Sequence, residues 1–234
     1  MTKLFVLGSV LSVLFLTTAC KNNQQSNNNG DKKVAATVGD TANKVKKTIL
    51  FFGNSLTAGL GVEPSEAFPA LIGQKIDSAN LDFKVINAGV SGETSAGGNG
   101  RIAWILKQPV DVFVLELGAN DGLRGVPVEE TRKNLQSIVD KVIAKYPKAK
   151  LVLAGMRVPP NMGEKYAKDF HKVFEDLASK NKMALIPFLL EGVGGVRELN
   201  QQDGIHPTAE GHKIVANTVW GVLRKELEEV ASNS

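Results

Sequence analysis

The sequence predicts an α/β fold, a three-layer α/β/α sandwich around a mainly parallel sheet of five strands. Short apolar, β-favouring runs recur along the chain, and stretches with helical apolar spacing separate them. With 234 residues, 43% of them hydrophobic and 22% charged, the chain can bury a large core of its own. Strands that alternate with helices favour a parallel sheet covered on both faces.

The elements follow one another in a regular order. The first predicted strand, 48–53, is an apolar run that ends at glycine, as buried parallel strands do. The other strands are predicted at 83–87, 110–117, 151–156 and 184–187. Apolar residues spaced for one helical face predict helices over 67–79, 102–106, 135–142, 166–178 and 214–223. Ligands of such sheets bind beyond the carboxyl ends of the strands, so functional residues are expected there.

The composition excludes several classes of protein. The single cysteine rules out an intramolecular disulfide and argues against a Cys/His zinc site. The formal net charge of +4 is mild, and the lysines are interspersed with acidic residues. The chain therefore has no electrostatic footprint for nucleic acid.

The N-terminus is predicted to be a targeting segment. Lys3 precedes an apolar run over 4–16, which is shorter than the about 20 residues of a membrane-spanning helix. Small residues follow, so 1–19 has the layout of a secretory signal peptide. It resembles a bacterial lipoprotein signal with Cys20 as the lipidated residue, although Thr17 stands where that signal usually has leucine. The resemblance implies a protein anchored to a membrane of the bacterial cell envelope, at the outer membrane or the periplasmic face. Plain secretion is the alternative.

The segment 20–47 separates this cysteine from the predicted domain at 48–230. It is rich in Asn, Gln and Lys and has almost no large apolar side chains. Such a segment cannot bury enough surface to offset its chain entropy. We expect a flexible tether.

Residues with catalytic chemistry follow three of the predicted strands. Ser55 comes just after the first strand, Gly92 lies in a glycine-containing turn after the second, and Asn120 follows the third. Taken alone, the serine also fits a helix N-cap, and the glycine and asparagine also fit turns.

A fourth candidate lies near the C-terminus, where Asp203 precedes His206 by three residues. The aspartate can accept a hydrogen bond from one ring nitrogen, which fixes the tautomer and leaves the other nitrogen free to take a proton from a serine. A helix-capping aspartate beside an incidental histidine is the alternative. The remaining histidines, His171 and His212, are expected on the surface of amphipathic helices.

Together and in this order, the four blocks resemble the SGNH, or GDSL-type, hydrolase family. The resemblance spans 48–227 and includes LTAGLG after the serine and the segments VSGETS, ELGANDGLRG and MRVPPN. These segments look like the thioesterase, lysophospholipase and arylesterase branch. The resemblance implies a flavodoxin-like SGNH hydrolase fold and a serine esterase that hydrolyses acyl esters or thioesters through an acyl-enzyme.

The resemblance also implies a role for each candidate residue. Ser55 would be the nucleophile, His206 the general base and then acid, and Asp203 its orienter. The Ser55 N–H, the Gly92 N–H and the Asn120 side-chain amide would form the oxyanion hole. The family resemblance implies a small acyl ester as substrate and a reaction that requires no metal and no organic cofactor. The sequence does not determine the oligomeric state, and we expect a monomer.

One departure from the family motif is visible, because Asn54 stands where Gly-Asp-Ser-Leu has aspartate. Asparagine is nearly isosteric and can hold the turn by side-chain hydrogen bonds, but it removes one negative charge beside the triad. We expect activity to survive, with an altered pH profile. Two other functions stay open: a carbohydrate O-acetylesterase, and a non-catalytic surface protein that binds lipid or glycan.

Overall fold

The computed structural model describes residues 46–232. Within them, five parallel strands form one sheet in the order β2-β1-β3-β4-β5. The strands are β1 (Lys47–Gly53), β2 (Phe83–Gly89), β3 (Val112–Glu116), β4 (Lys150–Ala154) and β5 (Ala184–Ile186). The prediction of an α/β fold around a five-stranded parallel sheet is confirmed.

Seven α-helices lie in the described part of the chain. They are α1 (Ser55–Ala58), α2 (Phe68–Ser78), α3 (Ser95–Ile105), α4 (Ala119–Leu123), α5 (Val128–Lys145), α6 (Glu164–Asn181) and α7 (Ala209–Ser232). Short 3-10 turns at Pro160–Met162 and Arg197–Leu199 interrupt two loops. Among residues 46–232, no helix is both long and apolar enough to cross a membrane.

Two neighbouring side chains of β1 point to opposite faces of the sheet, and both faces are covered. Phe51 packs edge-on against Phe68 of α2, with ring centres 5.6 Å apart. Phe52 points toward α3, where a Cβ on Gly98 would lie 3.1 Å from its ring. Helix α2 packs on α7, whereas α3 and α6 both pack on α5. Because side chains alternate along a strand, the sheet is the middle of three layers.

The predicted boundaries differ from the observed ones by a few residues. Strand β3 begins at Val112 rather than at 110, and the Asp111 carboxylate before it accepts a hydrogen bond from the Thr48 N–H at 2.7 Å. Strand β1 begins at Lys47, one residue earlier than predicted. The predicted signal peptide, and the tether up to residue 45, lie outside the described residues.

The prediction that His212 lies on the surface is wrong. His212 is in the first turn of α7 but is only 1% exposed. Its Nδ1 accepts a hydrogen bond from the Phe68 backbone N–H at 3.3 Å, and its ring stacks on the Phe68 ring. Burial lowers the pKa of His212 to about 4.

His171 is also less solvated than expected. Its side chain is 34% exposed, and its Nε2 lies 3.5 Å from Glu175. Its Nδ1 is buried and has no hydrogen-bond partner within residues 46–232.

Candidate active site

Ser55 lies at the start of α1, directly after the central strand β1. Asn54 caps this helix, since its Oδ1 accepts a hydrogen bond from the Leu56 N–H at 2.9 Å. Gly59 then ends the helix after one turn in a left-handed conformation, with φ 77°. The short helix holds Ser55 at the wall of a groove at the carboxyl edge of the sheet.

The structure brings Ser55, His206 and Asp203 together in one hydrogen-bonded row. His206 Nε2 lies 2.8 Å from Ser55 Oγ, and His206 Nδ1 lies 2.6 Å from Asp203 Oδ2. With a proton on Nδ1, the neutral ring donates to the aspartate and its Nε2 accepts from the serine hydroxyl. The hydrogen bond from His206, together with backbone N–H donors, lowers the pKa of Asp203 to about 2. The aspartate is therefore charged at neutral pH and can stabilise a protonated imidazole.

The loop that carries Asp203 and His206 has no regular structure, but polar side chains fix it. Asp203 Oδ1 accepts from the backbone N–H groups of Ile205 and His206, both at 3.0 Å. The Gln201 side chain donates to the Leu60 carbonyl at 2.7 Å, so the loop is tied to the chain just after α1. This contact connects the segment that carries His206 with the segment that carries Ser55.

The predicted oxyanion donors lie on neighbouring strand ends. Asn120 lines the same groove as Ser55, and its Nδ2 donates one hydrogen bond to the Glu93 carbonyl at 3.0 Å. A side-chain amide has two N–H bonds, so the other remains for a substrate oxygen. Gly92 precedes Glu93 in the loop after β2, and the Glu93 carbonyl contacts Asn120, which lines the groove. Its φ of 79° lies in the left-handed region that favours glycine.

A partly buried ion pair supports the loop that carries Gly92, and the sequence interpretation did not assign it. The Arg101 Nε donates to Glu93 Oε1 at 2.5 Å, and its Nη2 donates to the Ala88 carbonyl at 2.7 Å. The Arg101 guanidinium also lies 4.1 Å from the centre of the Phe52 ring. Arg101 therefore fixes the same Glu93 whose carbonyl positions Asn120.

A second buried carboxylate, Asp121, connects the loops after β2 and β3. It accepts from the Ser95 N–H at 2.8 Å and from the Ser95 hydroxyl at 2.5 Å. Glu93 and Asp121 both stand inside the segments that carry the family resemblance, VSGETS and ELGANDGLRG. Neither residue has a catalytic role in the family resemblance. A charged residue with no assigned role inside such a segment is therefore the sequence signal that could have pointed to both clusters.

The groove beside Ser55 has a volume of about 440 Å³, within the usual range for sites of small ligands. Arg157 lines it and lies over the Phe188 ring, 4.7 Å from the ring centre. No group of three or more His, Cys, Asp or Glu in residues 46–232 is arranged to hold a metal ion. Most of the groove wall is apolar and comes from Leu123, Met156, Val158, Phe188, Leu190 and Ile205.

Comparison with known proteins gives consistent matches. A model of the GDSL-like lipase/acylhydrolase family matches residues 51–214. Esterase TesA of Pseudomonas aeruginosa is 39% identical over 79% of this chain and 91% of its own length. Thioesterase 1/protease 1/lysophospholipase L1 of Escherichia coli K12 is 36% identical over 80% of this chain and 86% of its own. The crystal structure of the psychrotrophic esterase EstA from Pseudoalteromonas superposes with a TM-score of 0.73 at 33% identity, covering 78% of this chain and 100% of that chain.

Proposed function

Because the chain belongs to the GDSL-like lipase/acylhydrolase family, we propose that Ser55, His206 and Asp203 are the catalytic residues of its esterase reaction. The chain is a serine ester hydrolase of the SGNH type. The observation that carries the assignment of residues is the continuous hydrogen-bonded row from Ser55 Oγ through the His206 ring to Asp203. A nucleophile, a base and an orienting carboxylate in this order suit acyl transfer.

The reaction begins with attack of Ser55 Oγ on the acyl carbonyl carbon, as the serine proton moves to His206 Nε2. The negative charge that develops on the carbonyl oxygen is met by the N–H groups of Ser55, Gly92 and Asn120. The carbonyl re-forms and the bond to the alcohol or thiol breaks, and His206 returns its proton to that leaving group. Water, deprotonated by His206, then attacks the acyl-enzyme and releases the acid and free Ser55.

The arginine side chains around the groove indicate the kind of substrate that it can bind. The chain has six arginines, which fall into two groups of three. One group forms ion pairs with carboxylates: Arg101, Arg132 and Arg224. The other group forms no ion pair with a carboxylate of residues 46–232: Arg124, Arg157 and Arg197.

One arginine of the second group lines the groove, and the other two lie on segments beside it. Arg157 lines it, and Arg197 lines an adjoining hollow that shares Gly195 and Gly204 with it. Arg124 donates to the Gly92 carbonyl at 3.2 Å. An apolar wall would receive an acyl chain, and cations without carboxylate partners would attract an anionic leaving group. The preferred substrate is therefore an acyl ester of an anionic amphiphile, such as a lysophospholipid.

Two sets of substrates test this proposal on the purified protein. The first is a series of p-nitrophenyl esters from acetate to palmitate. The second compares lysophosphatidylglycerol with lysophosphatidylcholine of the same acyl chain. Ser55→Ala should lower kcat by about 10⁴–10⁶ on every substrate, and retention of more than a tenth of the turnover would refute the serine mechanism.

The head-group assignment has its own control. Arg197→Gln should reduce the preference for the anionic lipid, whereas Arg224→Gln, which removes an arginine from an exposed ion pair on α7, should not. Equal rates on both lipids, with no effect of Arg197→Gln, would contradict an anionic head group. Activity confined to the acetate ester would favour a carbohydrate O-acetylesterase.

We also propose that Cys20 carries lipid and anchors the enzyme in the bacterial cell envelope, with secretion as the alternative. Support comes from the sequence alone, where the apolar run 4–16 and a few small residues precede this cysteine. A hydrolase of lipid esters would then act beside its substrates.

A further inference from the structure

Glu116, the last residue of β3, is a buried carboxylate that the proposed mechanism does not use. It is 1% exposed. It has no ion pair with a lysine, arginine or histidine of residues 46–232. Its partners are Asn54 and Thr57, the two residues that flank Ser55 and Leu56 in the turn after β1. A buried charge without a counter-ion is costly unless hydrogen bonds satisfy it.

Four donors from this turn converge on Glu116. Its Oε2 accepts from the Thr57 hydroxyl at 2.7 Å and from the backbone N–H groups of Asn54 and Thr57 at 3.1 and 3.3 Å. Its Oε1 accepts from Asn54 Nδ2 at 2.7 Å. These contacts match an ionised carboxylate, which only accepts hydrogen bonds. Burial raises the pKa of Glu116 to about 7, and the hydrogen bonds from Thr57 and Asn54 act in the opposite direction.

The orientation of the Asn54 amide is fixed from both ends. Its Oδ1 accepts from the Leu56 N–H at 2.9 Å and caps α1, so its Nδ2 must face Glu116. An aspartate at this position would keep the cap but would set one carboxylate against another at the same short distance. Two carboxylates in such contact cannot both be ionised without a large cost.

We propose that Glu116 is a positioning residue for the nucleophile, and that residue 54 is asparagine because its amide is the donor that Glu116 needs. The negative charge beside the nucleophile turn is kept on residue 116 rather than on residue 54. Glu116 acts through the turn and touches no substrate. The inference rests on the proposed role of Ser55 as nucleophile.

The pairing of donor and acceptor can be reversed, which gives a sharp test. Asn54→Asp alone sets a second carboxylate against Glu116, so that one of the two must hold a proton. Glu116→Gln alone sets an amide nitrogen either against the Asn54 amide nitrogen or against the N–H and O–H donors of the turn. When both substitutions are combined, the new amide at position 116 can donate to the new carboxylate at position 54, while the amide oxygen accepts from Thr57. The double variant also restores the single negative charge of the original pair.

The four proteins should be compared by kcat and KM on p-nitrophenyl butyrate, by the rate at which an organophosphonate labels Ser55, and by Tm. Each single substitution should lower kcat and the labelling rate by about 10-fold or more with little change in KM, because the turn holds the attacking oxygen. The double variant should have a kcat and a labelling rate at least 10-fold higher than those of the worse single variant. The matched control is Asn217→Asp, the same chemical change at an exposed position of α7, which should leave all values unchanged.

Normal kcat in both single variants, or a double variant no better than the product of the single effects, would overturn the inference. If a single variant does not fold, Thr57→Val removes only the hydroxyl donor and should still lower the labelling rate several-fold, and an unchanged rate would count against the inference. Ser55→Ala separates the two claims. If Ser55→Ala is inactive and Glu116→Gln has normal activity, only the role of Glu116 is refuted. If Ser55→Ala is active, the proposed mechanism itself is refuted.

Discussion

His212 should make the stability of this protein depend on pH in a way that one substitution removes. The ring is buried against Phe68, and its Nδ1 accepts the Phe68 N–H, so protonation would place a charge in the core and remove an acceptor. Burial lowers the pKa of His212 from 6.5 to about 4. The unfolded chain therefore binds a proton that the folded chain does not bind between these two pH values. The stabilisation is fully present above pH 6.5 and is lost as the pH falls toward 4.

The magnitude follows from the two pKa values. The drop from 6.5 to about 4 corresponds to about 3 kcal/mol in total, of which about 2 kcal/mol is lost between pH 7.5 and pH 5. His212→Asn keeps an acceptor for the Phe68 N–H but does not titrate. The difference in unfolding free energy between the original protein and this variant should therefore shrink by about 2 kcal/mol between pH 7.5 and 5.

Urea unfolding followed by circular dichroism at several pH values measures this difference directly. Asn217→Ala is the control, because it replaces an exposed residue of the same helix that does not titrate, and it should show no such change. Glu116 titrates in the opposite sense, since its pKa is raised from 4.5 to about 7 and its stabilisation is lost as the pH rises through that value. The His212→Asn protein should thus become more stable on mild acidification. A pH-independent difference between the two proteins would refute the burial argument.

Three further predictions concern the oxyanion hole and the anchor. Asn120→Ala should lower kcat by about 10²–10³ with little change in KM, and a raised KM at normal kcat would place Asn120 in substrate binding instead. Arg101→Lys keeps the charge but loses the fork that holds Glu93 and the Ala88 carbonyl, so kcat should fall by about 10-fold. Arg132→Lys, in a more exposed ion pair, is the control, and equal losses in the two variants would contradict a specific role. Cys20→Ser should move the protein from the membrane to the soluble fraction with unchanged kcat; a wild-type protein found wholly in the soluble fraction would instead indicate simple secretion.

The sequence predicted the sheet, and the topology of that sheet explains why the candidate site residues come together. Parallel strands end at one edge, so Ser55 after β1, the Gly92 loop after β2 and Asn120 after β3 had to lie close together. The apolar periodicity that reveals strands and helices depends only on local sequence, and it is therefore readable without a structure.

The contacts that the supporting residues make were not predictable in the same way. Glu116 stands inside an apolar strand, and its role depends on Asn54 and Thr57, which lie about 60 positions earlier. His212 has the pattern of a surface residue in a first helical turn, but Phe68 covers it from a distant part of the chain. Contacts of this kind depend on tertiary packing, which no local pattern reports.

The proposed nucleophile, Ser55, and its proposed base, His206, are separated by 151 positions in the chain. Ser55, Gly92 and Asn120 belong to the first half of the domain, whereas Asp203 and His206 share one short loop near its end. A single break in the backbone between α6 and β5 would thus leave the attacking hydroxyl on one fragment and the proton acceptor on the other. Neither fragment could hydrolyse an ester alone, and turnover would return only when the two reassociate. The chain could therefore be divided at this point to make a split-enzyme reporter, in which ester hydrolysis shows that the two fragments are close together.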